Sequence, residues 1–266
     1  MLQVGIDCHV HTLLSGHAYC TVRDNIMEAA ERPLQGLGIA DHFGAQFFAL
    51  NLATEPDKEK IFCTLAHFLN TAALPETWHG VRLYNSIEID IADTAGNLFG
   101  HDIRMDGGWG YDGGDLSGLV LRPADYAIAS VHHLPNAKAI TASQGTVMYS
   151  NALRHPAVRM LGHIGRSGIP FDIDEVLRVA KETNKIIEIN EHSFDFTEQT
   201  KTICRQIALR CAELGVWIAV NSDAHCSADV GLFDKATTML EEIHFPQELI
   251  ANESTERFEQ IIGLHA

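Results

Sequence analysis

The chain has 266 residues, of which 46% are hydrophobic, enough for one large domain with a sizeable buried core. With 35 acidic against 19 basic residues the formal charge is −16, which argues against a long nucleic-acid partner, since that binding depends on clustered Lys and Arg. No apolar stretch approaches the roughly 18 residues of a membrane span, and Met1-Leu2-Gln3-Val4 leads into a strand pattern without the regions of a signal peptide, so a cytoplasmic protein is expected.

In chain order, seven apolar segments of strand-like length recur: Val4 to Ile6, Leu37 to Ala40, Val81 to Ile87, Tyr126 to Val131, Val158 to Gly162, Ile186 to Ile189 and Val216 to Val220. Each ends in a polar cluster. Helix-patterned stretches separate most of them: Val22 to Arg32, Lys58 to Ala73, Gly145 to Arg154, Asp174 to Thr183 and Glu198 to Leu214. Asp172 followed by Glu175 is a helix start. From Leu232 onward the pattern is helical again, with Pro246 near the start of a closing helix. The Gly- and Asp-rich stretch Ala92 to Leu119 breaks the alternation and reads as a long loop or lid that carries specificity. Alternating strand and helix predicts parallel strands. An open doubly wound sheet gathers its ligands at one switch point, whereas here polar residues decorate the end of every strand, as in a barrel. The predicted fold is therefore an α/β, (β/α)7 TIM-like barrel, in one domain, with its site at the C-terminal ends of the strands.

The six cysteines form no CxxC pair and read as reduced structural thiols; Cys204 and Cys211 can both face the core from one helix.

Nine residues at the segment ends carry the chemistry: His9, His11, His17, His42, Glu88, His132, His163, Asp223 and His225. Asp7-Cys8-His9-Val10-His11 and Asn221-Ser222-Asp223-Ala224-His225 each place two ligand-type side chains at i and i+2, which a strand projects onto one face. Imidazole and carboxylate suit Zn, Mn or Fe ahead of Cu(I) or an iron–sulfur cluster. A structural zinc takes four ligands, so nine candidates imply two or three ions with open positions, and open positions serve catalysis. His67, His79, His155, His244 and His265 read as core or rim residues. His133 adjoins His132 and points to the other face. His101 and His192 are left open.

Asp7-Cys8-His9-Val10-His11-Thr12, Ala40-Asp41-His42, Ile87-Glu88, Val131-His132, Gly162-His163 and Asn221-Ser222-Asp223-Ala224-His225 resemble, in order, the successive motifs of the PHP superfamily, named for polymerase and histidinol phosphatase. The resemblance covers nearly the whole chain. Through Ser15-Gly16-His17-Ala18-Tyr19 and Glu188-Ile189-Asn190 it is closest to the YcdX-like trinuclear-metal phosphatases, which implies a distorted (β/α)7 TIM-like barrel.

That resemblance implies three divalent metal ions, one held by His9, His11, Glu88 and Asp223, a second by Glu88, His132 and His163, and a third by His17, His42 and His225. Glu88 would bridge the first two. Glu88, Asp223 and His225 are the implied catalytic residues, acting with a water made acidic by the metal on a small phosphorylated substrate. The motifs also nominate Asp7 and Asp41, either as acceptors for an imidazole N–H or as strand-end caps. Arg166 is either a substrate-phosphate contact or a surface arginine, and Asn190 and Ser193 line the pocket. The implied activity is a metal-dependent phosphoesterase. A histidinol-phosphate phosphatase, a nuclease and a non-catalytic PHP interaction module are the alternatives, and the oligomeric state is unknown.

Overall fold

The inward face of each parallel strand changes character along its length. In the strand Val81–Asp90 the alternate residues Tyr84, Ser86, Glu88 and Asp90 share one face, aromatic where the strand begins and acidic where it ends. The computed structural model describes residues 2–46, 65–105 and 113–264, and within them this strand is the third of seven in one sheet. These are β1 (Ile6–Val10), β2 (Gly36–Phe43), β3 (Val81–Asp90), β4 (Tyr126–Ser130), β5 (Val158–Leu161), β6 (Ile186–Asn190) and β7 (Ile218–Asn221). They neighbour one another in chain order, and every pair is parallel. A short strand Thr77–Trp78 adds an antiparallel edge to β3.

Helices α1 (Val22–Glu31), α2 (Leu116–Leu121), α3 (Ala142–Arg154), α4 (Ile173–Glu182), α5 (Glu198–Leu214), α6 (Asp234–Glu242) and α7 (Thr255–Ile262) pack around the sheet. Their ends follow local chemistry. Thr141 and Gln144 form a capping box ahead of α3, Asp172 caps α4 through the Glu175 amide, and Gly215 closes α5 at φ +67°.

The sheet nearly closes into a barrel. Between β7 and β1 there is one parallel bridge, Val10 to Ala224, and the His11 amide donates to Ala224 O at 2.9 Å. Lower in the seam the buried Asn252 replaces the missing ladder. Its Nδ2 donates to Ile6 O and Val220 O, and its Oδ1 accepts from the Val220 amide. Backbone groups there would otherwise be buried unpaired.

Two apolar clusters result. The outer one lies between sheet and helices; the inner one takes Ile6, Cys8, Ala40, Tyr84, Tyr126, Ile128, Met160, Ile186 and Ala219 from the strands and Phe258, Ile261 and Ile262 from α7. Helix α7 thus plugs the N-terminal end, with Phe258 edge-on to Tyr84 and Tyr126 at 5.5 and 5.2 Å. Gly38 leaves room for the Tyr126 hydroxyl, which donates to Cys8 O at 2.7 Å; a Cβ at Gly38 would lie 1.9 Å from that oxygen.

Several expected boundaries move. The first strand is Ile6–Val10, not Val4 to Ile6, and β2 and β3 run on to Phe43 and Asp90, because polar residues at the ends remain in the ladder. The first part of the expected helix Lys58 to Ala73 lies outside the described residues; 65–69 are helical and Thr71–Ala73 form a 3₁₀ turn. The stretch Ala92 to Leu119 is not a plain loop. It buries Leu98, Phe99 and Ile103, pairs Arg104–Met105 with Gly114–Asp115, and begins α2. Pro246 precedes a short 3₁₀ turn, and α7 starts only at Thr255. Cys8, Cys20, Cys204 and Cys211 are buried free thiols and Cys226 is an exposed one, while Cys63 lies outside the described residues. No helix among the described residues is long and apolar enough to cross a membrane.

Candidate metal centre

The side chains of the site come from every strand end, but simple alternation does not bring them together. In β1 the register to β2 slips between Asp7 and Val10, so that one extra residue is accommodated there. Ile6 and Cys8 belong to the inner cluster and Val10 to the outer one, while His9 and His11 both reach the centre. Such a bulge re-aims side chains next to a site. Two further candidates sit just past their strands with left-handed backbones, His163 at φ +32° and Asp223 at φ +58°. For side chains other than glycine that conformation is uncommon and clusters at functional positions.

Glu88 is the hub. Its Oε1 lies 2.7 Å from His163 Nε2 and 3.3 Å from His132 Nε2, while its Oε2 lies 2.7 Å from His42 Nδ1, 3.3 Å from His9 Nε2 and 3.6 Å from His11 Nε2. Each oxygen thus faces its own set of imidazoles. Asp223 Oδ1 is 2.9 Å from His11 Nε2 and 3.7 Å from His9 Nε2. Three triads have donor atoms within 4.8 Å of one another: His9, His11 and Glu88; His42, Glu88 and His132; and His11, His42 and His225. His17 stacks on His42 and tilts toward His225, with ring centroids 5.0 and 4.5 Å away.

The rings are held by their other nitrogens. His9 Nδ1 donates to Glu188 Oε1 at 2.7 Å, and His132 Nδ1 to Asp90 Oδ1 at 2.6 Å, so in both rings Nε2 is turned to the centre. His11 Nδ1 donates to Ser15 Oγ, His17 Nδ1 to Ser15 O, and His225 Nδ1 to Asp223 O. An acceptor on the far nitrogen fixes the tautomer that a metal ligand requires. Glu188 and Asp90 were not singled out for this role from sequence. The available signal was spacing: Asp90 is two residues beyond Glu88 and Glu188 two before Asn190, each on the same strand face as its neighbour.

Asp7 and Asp41 do not accept an imidazole N–H. Asp7 binds the Ser222 amide and hydroxyl and the Gly231 amide. Asp41 binds the Thr12 amide and hydroxyl and the Ser15 hydroxyl. Both tie loops to strand ends, and Asp41 reaches His11 only through Ser15.

Charge in the site is set by competition between burial and neighbours. Burial pushes the Glu88 carboxyl up, but His132, His9 and His42 outweigh it and hold it well below its usual range. Asp223 is likewise held low by His9 and Arg166 against its burial. Burial, with the Arg166 guanidinium, takes His163 down to about 4, and burial lowers His11, His17 and His225 as well. His9 and His132 go the other way: burial lowers them, but Glu88 with Glu188 raises His9, and Glu88 with Asp90 takes His132 to about 10. A bound cation would take the place of those protons. His9 Nε2 and His225 Nε2 are buried and hydrogen-bonded to nothing among the described residues, and such atoms are what a cation satisfies. The donor set therefore fits borderline or hard divalent ions.

Above the cluster opens a cleft of about 610 Å³, lined by His17, His42, His132, Asp223 and His225 from the expected set. His9, His11, Glu88 and His163 form its buried floor. Arg166 lines the cleft and is not a surface arginine: its side chain is 14% exposed and donates to Asp223 Oδ2 at 2.5 Å and to Asn190 Oδ1 at 2.8 Å. Asn190 is buried and occupied by Glu188, Asp223, Arg166 and the Ser193 amide, so it positions those groups and has no face on the cleft. Ser193 is buried beside Cys204 and does not line the cleft. His192 and Phe196 do line it, and His101 does not, its Nδ1 donating to Leu98 O. None of the described residues of 92–119 reaches the cleft. His79, His133, His155 and His244 lie outside the triads and the cleft, and His265 lies outside the described residues.

Parallel strands nearly closed on themselves, with imidazoles and carboxylates converging at one end, define a TIM-like barrel protein with a cluster of side chains that could hold metal ions. No protein-family model matches the chain. It is 34% identical over 257 residues to a probable phosphatase of Acetivibrio thermocellus, covering 97% of this chain and 94% of that protein. It is also 34% identical over 262 residues to a probable phosphatase of Caldanaerobacter subterraneus subsp. tengcongensis, covering 98% and 92%. The chain belongs to the family of these probable phosphatases. Among solved structures, histidinol phosphate phosphatase from Lactococcus lactis, complexed with zinc, L-histidinol and phosphate, superposes with a TM-score of 0.54 at 18% identity, over 92% of this chain and 95% of that one, which relates the folds.

Proposed function

We propose that the protein is a metal-dependent phosphatase of the PHP superfamily, of YcdX-like type, that binds three divalent ions and hydrolyses a small phosphorylated substrate. The observation that carries the reading is the division of Glu88, one oxygen toward His163 and His132 and the other toward His9, His11 and His42. A carboxylate can span two cations in that way, and an imidazole cannot. Names of relatives at 34% identity support the same activity.

His9, His11, Glu88 and Asp223 would hold one ion, Glu88, His132 and His163 a second, and His17, His42 and His225 a third, with Zn, Mn and Fe all suited to the donors. When bound, such ions supply a water of lowered pKa and positive charge for phosphate oxygens. The chain's own residues do the rest. Glu188 and Asp90 keep His9 and His132 in the ligating tautomer. Arg166 and Asn190 hold Asp223 from its far oxygen. Arg166 is the one guanidinium on the cleft among the described residues, placed to meet a phosphate oxygen.

The test is an assay of the purified chain on benzyl phosphate with added Mn or Zn, alongside metal analysis. Turnover that chelation removes is expected, and Glu88→Gln should lower kcat by about 10²–10³-fold, the scale for losing one electrostatic group at a reacting centre, with bound metal falling as well. Hydrolysis of diesters or single-stranded nucleic acid but no monoester would overturn the reading.

A further inference from the structure

A second cavity, of about 480 Å³, lies between the loop that follows β5 and the first turns of α5. It adjoins the cleft: Arg166 lines both, Phe196 of the cleft is followed in the chain by Thr197 of the cavity, and His163 by Ile164. On the cleft side the Arg166 guanidinium lies over the Phe196 ring, 5.6 Å from its centroid, so Arg166 is the side chain the two spaces share.

The cavity walls are somewhat more apolar than polar, with Ile164, Ile169 and Phe171 on one side and Gln199, Thr200 and Ile203 of α5 on the other. Arg166 is the one charged residue among the described lining. A protonated amine entering here would find no carboxylate and would meet a guanidinium. An uncharged ring or chain would give up only its contact with water, which favours burial here.

We propose that this cavity is the subsite for the alcohol half of a phosphomonoester, and that it selects an uncharged, ring-sized alcohol over an amino alcohol. The proposal rests on the phosphatase reading. Hydrolysis would join the oxygen of water to phosphorus and break the bond from phosphorus to the ester oxygen. The alcohol, carrying a proton from that water, would then leave through this cavity.

The test compares benzyl phosphate, glycerol phosphate and L-histidinol phosphate on the Mn-loaded full chain and on Thr200→Trp and Ile203→Trp, which narrow the cavity from the exposed side of α5. The wild type should favour benzyl phosphate in kcat/KM over both other esters. Each variant should reduce the benzyl-to-glycerol ratio by at least about tenfold, through KM more than kcat. Equal losses on both esters in both variants, or a wild-type preference for histidinol phosphate, would sink the proposal. If no ester turns over, the phosphatase reading fails, and the cavity is judged separately by ligand-observed NMR with benzyl alcohol. A saturation-transfer signal in the wild type that both variants remove sustains the subsite; equal signals, or none, in all three proteins refute it.

Discussion

The two ends of the barrel use the same inward-pointing positions in opposite ways. At the N-terminal end Ile6, Tyr84, Tyr126 and Ile186 meet Phe258 in an apolar cluster held by ring-edge contacts. At the C-terminal end His9, His11, His42, Glu88 and Asp223 are gathered with almost as little exposure. Packed apolar groups stabilise the chain without help. Buried imidazoles and carboxylates cost free energy unless something pairs with them, so the same degree of burial marks stability at one end and a binding site at the other.

The comparison breaks if damage at one end spreads to the other. The largest effect on stability is expected from Phe258→Ala, which empties the plug of a fully buried ring and should cost about 3–5 kcal/mol by urea denaturation. The fraction that remains folded should bind metal in the wild-type ratio, and a loss of metal from that fraction would join the two ends. At the other end Glu188→Gln exchanges the charged acceptor that orients His9 for a neutral amide and should weaken metal binding about 10–100-fold in a competition titration. Unfolding midpoints of the two chelated proteins should then differ far less than those of the loaded ones, since a ligand stabilises only as far as it binds.

The smallest effect sharpens the contrast. Lys185 is a buried charge at the stability end, its ammonium donating to Val158 O and His155 O, and burial, with Arg159 beside it, pushes its pKa down from 10.5 to about 8. The native state therefore favours the neutral amine, and the unfolded chain binds more protons between about pH 8 and 10.5. Stability from this group should rise as pH increases through that window. The difference in unfolding midpoint between wild type and Lys185→Met, followed from pH 7.5 to pH 10.5, should move in favour of the wild type; a flat difference would show that Lys185 titrates alike in both states.

Much of this was legible because chemistry and periodicity coincide in the strands. Apolar runs ending in His or acid residues announced both a parallel barrel and the mouth where its site lies, and seven of the nine candidate residues share the triads or Glu88's contacts, with Asp223 bonded to His11 and His17 stacked on His42. Other features depended on long-range geometry. The register slip in β1 cannot be read from Asp7 to Val10 alone, since it exists only relative to β2. Glu188 meets His9 across 179 positions of sequence, and the nearer acids Asp7 and Asp41 spend their oxygens on loop amides and hydroxyls. The stretch Ala92 to Leu119, polar enough to suggest a lid, turns Leu98, Phe99, Ile103 and Met105 into the core.

By itself the order of residues determined the alternation of strand and helix, the apolar start and polar finish of each strand, and the donor types at the mouth, because these follow from local periodicity and side-chain chemistry. Tertiary structure alone decided which nitrogen of each imidazole faces inward, that Arg166 reaches Asp223, and that a second cavity opens beside the cleft. Those outcomes depend on distances between segments far apart in the chain, and they exist only once the barrel has closed.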